Sequence, residues 1–392
     1  MEVVLPEPPS SFSCGLGNTI VVGYVDGIVQ YGTYDLPSNS LQAQWKFQTK
    51  GSVRGLVISH DQSDVFAITS NRGISCFDIE TGRRKRCIKR GHNERPTSIC
   101  LRHPDLANRS HHFSTGDESG EVQNFEFLLH ILTSQFEKGY SVFSQLSNPQ
   151  DVNALRNDNR HNLLSASADG TLAVYDVRKR RLRVKSEVMP SELLSLCVTE
   201  KYVYVGARGG YLEVFAHGDF GNILQRIRTG FDMGVDDVVE LRKGLLIACS
   251  GSSDKLKLIN VIPTKKLGVV GKHGDDDGVD QLMVSTDGST LISMSTFASS
   301  IKFWALSELL EEIPMLPAAE MKKRKPLVKE RFFDDLMEKK AKRRAEDDQN
   351  HSGDQSFSAN SDESGDIGDN EELDDDECDH YTNDEDEVAN DL

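Results

Sequence analysis

The chain has 392 residues, 37% of them apolar, seven cysteines and a formal net charge of −17. No apolar run approaches the roughly 18–20 residues that span a bilayer, and the opening MEVVLPEPPSS sets an acid and prolines where a secretory leader needs basic and apolar residues. The cysteines are scattered without a C-x-x-C pair, as free thiols of a reducing compartment are, so the expected location is cytosolic or nuclear.

Along the chain, one pattern recurs: small residues, a turn, then an alternating apolar run. VVGYVDGIVQY places Val29 after Asp26-Gly27; ITSNRGISCFD places Ile74; STGDESGEVQNFEF places Val122. SASADGTLAVYD places Leu172, VGARGGYLEVF Leu212, CSGSSDKLKLIN Leu256 and SMSTFASSIKFWA Ile301. The spacings are 45, 48, 50, 40, 44 and 45 residues. Seven units at this period, built from short strands between Gly, Asp, Ser and Asn turns, predict a seven-bladed WD-repeat β-propeller over residues 1–310. Strands such as Leu163–Ser167 and Leu172–Tyr175 are apolar on both faces, as a blade between two neighbours requires. The small residues beside the turns are expected at the narrow centre of the ring.

The repeat signature is worn. Trp45 falls outside the expected slot, Trp304 fills it but precedes Ala305, and Phe77-Asp78 and Tyr175-Asp176 stand in for Trp-Asp. Gly91-His92 and a looser Lys272-His273 remain of the Gly-His pairs, and His92 is expected in a buried network with an Asp and a Ser or Thr. Arg102–His112, with His103, His111 and His112, reads as a long solvated loop, and Leu128–Gln150 as a strand plus an extended loop. Asp275, Asp276 and Asp277 form an acidic loop without the ligand order of a calcium site.

Two basic runs follow the same strand of their units: Arg83, Arg84, Lys85, Arg86, Lys89 and Arg90 in the second, and Arg178, Lys179, Arg180, Arg181, Arg183 and Lys185 in the fourth. Both belong on one rim of the ring. There they serve either to block edge-to-edge sheet pairing or to contact RNA or an acidic partner.

Beyond the propeller, 311–345 reads as a basic connector. Lys322, Lys323, Arg324 and Lys325 form one cluster, and Lys339, Lys340, Lys342, Arg343 and Arg344 a second. Such clusters read as nuclear import signals, or else as a plain solvated linker. Between them Phe333, Leu336, Met337 and Lys340 share one helical face, and Phe332 adjoins it. This short amphipathic helix either docks on a partner or folds back on the propeller. From Glu346 to Leu392 there are 20 acids and no Lys or Arg. Like charge with so few apolar residues predicts a disordered acidic tail over 346–392, able to bind basic proteins. Thr382, before Asp384 and Glu385, sits in a context suited to acidophilic kinases.

No phosphate loop, H-E-x-x-H or G-x-S-x-G motif occurs. Asp26-Gly27 and Asp169-Gly170 are turn chemistry at blade period rather than catalytic carboxylates. The expectation is a protein without catalytic, metal or cofactor sites.

LLSASADGTLAVYDVRKRRL, GSSDKLKLINVIPTKKLGVVGKH and SSIKFWALSEL, followed by a basic segment with FFDDL and an acidic tail, resemble the WD repeat-containing protein 55 family over residues 1 to about 344. The resemblance implies a nuclear and nucleolar scaffold, found also in the cytoplasm, that supports ribosomal RNA production and ribosome biogenesis. Its partners would be proteins of pre-ribosomal or nucleolar assemblies, with RNA as a further candidate and no membrane, and the propeller would be monomeric within those complexes. Leu163 to Arg178 also resembles the box by which WD-repeat receptors dock on the adaptor of cullin-4 ubiquitin ligases. Asp169, Tyr175, Asp176 and Arg178 are the positions carried over, with Tyr where Trp is usual.

Overall fold

Runs of β-branched and aromatic residues, punctuated by Gly, Asp and Ser turns, fold into seven four-stranded antiparallel sheets. The computed structural model describes residues 2–38, 40–102, 111–127, 141–146, 150–158, 160–261, 264–274 and 277–311. The first six blades run over 9–48, 53–88, 96–146, 152–185, 193–228 and 237–272, each a simple meander. The seventh takes three strands from 281–305 and its outer strand, Glu2–Val4, from the start of the chain. Val3 pairs with Ile301 there, so both ends of the propeller sequence close one sheet.

All seven anchors of the repeat lie on the third strand of their blade. The turn before it is the tight one: Gly27 and Gly170 take φ of +92° and +78°, where only glycine is unstrained. Buried apolar side chains form seven clusters, one at each junction of neighbouring blades. The core is thus a ring of interfaces, and each blade has both faces covered by its neighbours.

The small residues before the turns do not face the centre of the ring, as the sequence suggested. They sit on the second strand, between blades. A side chain at Gly23 would meet Val53 at 2.4 Å, and one at Gly116 would meet Val152 at 2.5 Å. Both valines open the inner strand of the next blade, so small residues here let that strand close onto the previous sheet. The centre is lined by the inner strands and encloses a channel of about 570 Å³.

His111 and His112 belong to the second strand of the third blade, Phe113 being the first fully buried residue after them, and not to a loop. Trp45 lies on the outer strand of the first blade, where it stacks on Tyr31 at 5.5 Å and donates its indole N–H to the Ile79 carbonyl of the next blade at 2.7 Å. The last described element is a short helix, Leu306–Glu311, whose Leu306 is buried. The chain divides into two units, Met1–Lys325 and Pro326–Leu392. His103, Asp275, Asp276, the import clusters 322–325 and 339–344, the helix proposed around Phe332 and Phe333, the acidic tail and Thr382 lie outside the described residues.

Candidate interaction surfaces

The turns between second and third strands, and the links between blades, build one face of the ring. The remaining turns build the other. The fourth blade shows how the docking-box residues are used. Leu163 pairs with Tyr175 and Ser165 with Ala173, which sets Tyr175 fully inside the sheet stack. Burial pushes its phenol up to about 12. Asp169 accepts a bond from the Thr171 hydroxyl at 2.6 Å and holds Lys185 Nζ at 3.0 Å. Asp176 accepts the backbone N–H of Arg178 and Lys179 at 3.0 and 3.1 Å. Desolvation opposes its charge, and those two bonds outweigh it, so its carboxyl lies below the usual range. Three of the four residues thus have a part in holding the blade. Arg178 lies 3.6 Å from Asp176 through its Nε, yet its side chain is 58% exposed on the second face.

Both basic runs reach the outer strand of their blade, Arg84–Ile88 and Arg181–Lys185, with Arg83 and Lys179–Arg180 in the turns that lead into them. Several of these cations turn back on their own sheet. Lys85 Nζ lies 2.6 Å from Asp64 and 2.8 Å from Asp78, and Asp64 is itself buried. Desolvation works against the Lys85 charge, but the two carboxylates raise its pKa above the usual value. Arg84 lies over the Phe47 ring at 5.3 Å, and Arg183 donates to the Asn162 side chain at 3.2 Å. Arg83, Lys179, Arg180 and Arg181 remain exposed.

His92 is the buried hub of the third blade. Its Nδ1 lies 2.9 Å from Asp117 Oδ2 and its Nε2 2.5 Å from the Thr115 hydroxyl, with Phe125 edge-on at 6.3 Å. Burial pushes Asp117 up, yet the bonds from His92 and Ser119 leave it below its ordinary value. Together with Glu121, these residues bring ligand-type atoms within 4.8 Å. Both ring nitrogens of His92 are already engaged by protein, so the cluster reads as the blade's internal brace. His273, fully buried in the link to the seventh blade, makes a poorer version with the Ser293 carbonyl and Ser300. The Trp304 indole N–H donates to Ser293 Oγ at 2.9 Å.

Sequence reasoning missed a second buried pair. His217 Nε2 lies 3.2 Å from Asp158 Oδ2, joining blades five and four, with both side chains almost wholly covered. Desolvation raises Asp158, but His217 and Asn162 outweigh it and bring it down to about 2. Neither residue occupies a repeat slot, so no period marks them. Around the central channel Arg54, Arg156, Asp236, Asp237 and Asp280 supply the charge. Asp237 accepts the N–H of Leu282 at 2.9 Å, tying blade six to blade seven. Burial pushes its carboxyl up to about 6.

No family model matches the chain. Among curated proteins it is 25% identical over 313 residues to WD repeat-containing protein 55 of Bos taurus, covering 79% of this chain and 77% of that protein. The Homo sapiens protein of that name is 24% identical with the same coverage. An uncharacterized WD repeat-containing protein of Schizosaccharomyces pombe is 22% identical over 76% of this chain and 81% of its own length. The chain is a WD-repeat propeller related to WD repeat-containing protein 55. Among solved structures, a chain in the crystal structure of the mitotic checkpoint complex superposes with a TM-score of 0.64 at 16% identity, over 78% of this chain and 90% of that one. That likeness is one of fold. A closed WD-repeat ring with two loop-built faces is a platform for protein partners, and this chain has the architecture of such a scaffold.

Proposed function

We propose that this WD-repeat scaffold works in the nucleus and nucleolus, where it supports ribosomal RNA production and ribosome assembly by presenting its faces to proteins of pre-ribosomal particles. The observation that carries this reading is the similarity to proteins named WD repeat-containing protein 55 across 79% of the chain. The order of parts supports it: the propeller is followed by basic clusters at 322–325 and 339–344, then by an acidic tail. The clusters have the composition of import signals.

The test uses the tagged full chain in cells. Alanine at Lys322, Lys323, Arg324, Lys325, Lys339, Lys340, Lys342, Arg343 and Arg344 is expected to shift it to the cytoplasm. It should then no longer co-purify with pre-ribosomal proteins, and pulse-labelled ribosomal RNA should fall. Nuclear retention of the variant refutes the import reading, and unchanged ribosomal RNA on depletion refutes the ribosomal one. The exposure of Arg178 favours a second reading, a substrate receptor of a cullin-4 ligase. In the same purification Arg178→Ala then loses the ligase adaptor and keeps the pre-ribosomal proteins.

A further inference from the structure

A cluster of lysines without ion pairs among the described residues lies on the sixth blade, away from both basic runs of the sequence. In its third strand, Ser253–Val261, Leu256 and Leu258 point to the seventh blade, where they join its core cluster. Alternation sends Lys255 and Lys257 to the opposite face, with Ile259 and Val261, which pack on the fifth blade. The outer strand, Thr264–Lys272, carries two register shifts and sets Lys266 opposite Ile259 and Lys272 opposite Lys255. Directly opposed residues share a face. Lys255, Lys257 and Lys266 therefore share one face, toward the outer part of blade five, while Lys272 is drawn to Asp254.

Their surroundings differ from those of the runs on blades two and four. Lys272 finds Asp254 at 3.5 Å. Lys255, Lys257 and Lys266 make no ion pair among the described residues. Lys257 Nζ donates to the Gly230 carbonyl and lies 4.0 Å above the Phe231 ring. A methyl group at Gly230 would stand 3.5 Å from Lys266 Nζ and 3.6 Å from Lys257 Nζ, so both ammonium groups flank this glycine. Desolvation lowers the Lys257 pKa; Asp232 opposes this, and Lys255 and Lys266 add to it. The arrangement costs like-charge repulsion, which Asp232 offsets at a distance and no carboxylate among the described residues relieves by an ion pair.

We propose that this face binds a single strand of RNA through its phosphates. Lys255 and Lys257, two residues apart on a strand, stand roughly 6.7 Å apart along it, a step comparable with that between successive phosphates of an extended strand. The pair that flanks Gly230 suits a group offering several oxygens better than a two-oxygen carboxylate. The aromatic ring on this face, Phe231, is 3% exposed and lies beneath Lys257, so no platform for base stacking is offered. Binding is accordingly indifferent to sequence and strongly salt-dependent. The proposal does not depend on the nucleolar reading, since it concerns a surface and a ligand rather than a compartment.

The test is fluorescence anisotropy of the full chain with a labelled 12-nucleotide oligouridylate across a salt series. Lys255→Ala/Lys257→Ala/Lys266→Ala is expected to weaken binding at least tenfold and to reduce the slope of log affinity on log salt by about 1.4, at about 0.7 for each of the two phosphates no longer neutralised. Lys255→Glu/Lys266→Glu spares the Lys257 bond to Gly230 and is expected to weaken binding as strongly with an unchanged unfolding midpoint. Lys179→Ala/Arg180→Ala/Arg181→Ala on the fourth blade is expected to change affinity less than twofold. Absence of RNA binding at low salt overturns the proposal. So does binding untouched by the blade-six variants, or binding of a phosphoserine peptide on that face without binding of RNA.

Discussion

Asp237 and Asp158 couple stability to pH in opposite senses. An ordinary aspartate releases its proton near 3.8, whereas Asp237 in the folded ring holds it to about 6. Between these values the native state binds more protons than the unfolded chain, so this group's contribution to stability falls as pH rises from about 4 to about 6. Asp158, at about 2 in the fold, binds fewer protons than it does unfolded. Its contribution is complete above pH 4 and is lost as pH falls towards 2. Asp237→Asn keeps an acceptor for the Leu282 N–H and removes the titration. It is expected to shrink the loss of unfolding free energy between pH 4 and pH 7 by about 2–3 kcal/mol. Urea unfolding at the two pH values measures this, and an unchanged difference contradicts it.

At the scale of the strand, the outer edges carry two kinds of lysine. Lys85 guards an edge and also compensates the buried Asp64. Lys85→Met removes the ammonium 2.6 Å from that carboxylate, so a loss of about 1–2 kcal/mol is expected, reduced because the lysine is partly exposed and screened. Arg83→Met, at an exposed turn, is expected to cost under about 0.5 kcal/mol. Equal losses in chemical denaturation would show that edge charge alone matters. These strands also mark how far the sequence could be read. The period found seven blades because each third strand must repeat one apolar run beside one tight turn. The contiguous runs Arg83–Arg86 and Arg178–Arg183 were visible for the same local reason. Lys255, Lys257 and Lys266 were not, because they lie on two consecutive strands, and only the register between those strands sets Lys266 on the face of the other two. His217 and Asp158 meet across blades, which no spacing reveals. The docking box was legible as residues but not as a site, since burial of Tyr175 and the bonds of Asp169 and Asp176 appear only once the sheet is formed.

For the whole molecule, closure is the governing fact. Glu2–Val4 covers the last exposed edge of the seventh blade, and Leu5 enters the cluster between blades seven and one. Removing residues 1–5 uncovers the edge of Ser300–Ala305 and opens that cluster. The shortened chain is expected to melt at least about 5 °C lower and to associate with rising concentration, because a bare strand edge pairs with another chain. Light scattering and thermal unfolding test this together; a monodisperse sample with an unchanged midpoint would show that closure does not rest on this strand. The same feature imposes a schedule on synthesis. The strand that finishes the seventh blade leaves the ribosome before its pairing partner, which follows some 300 residues later. At about 5–20 residues per second it waits about 15–60 s. Throughout that interval the growing arc of blades has two unsealed ends. A stall before Ile301 leaves six finished sheets and no ring.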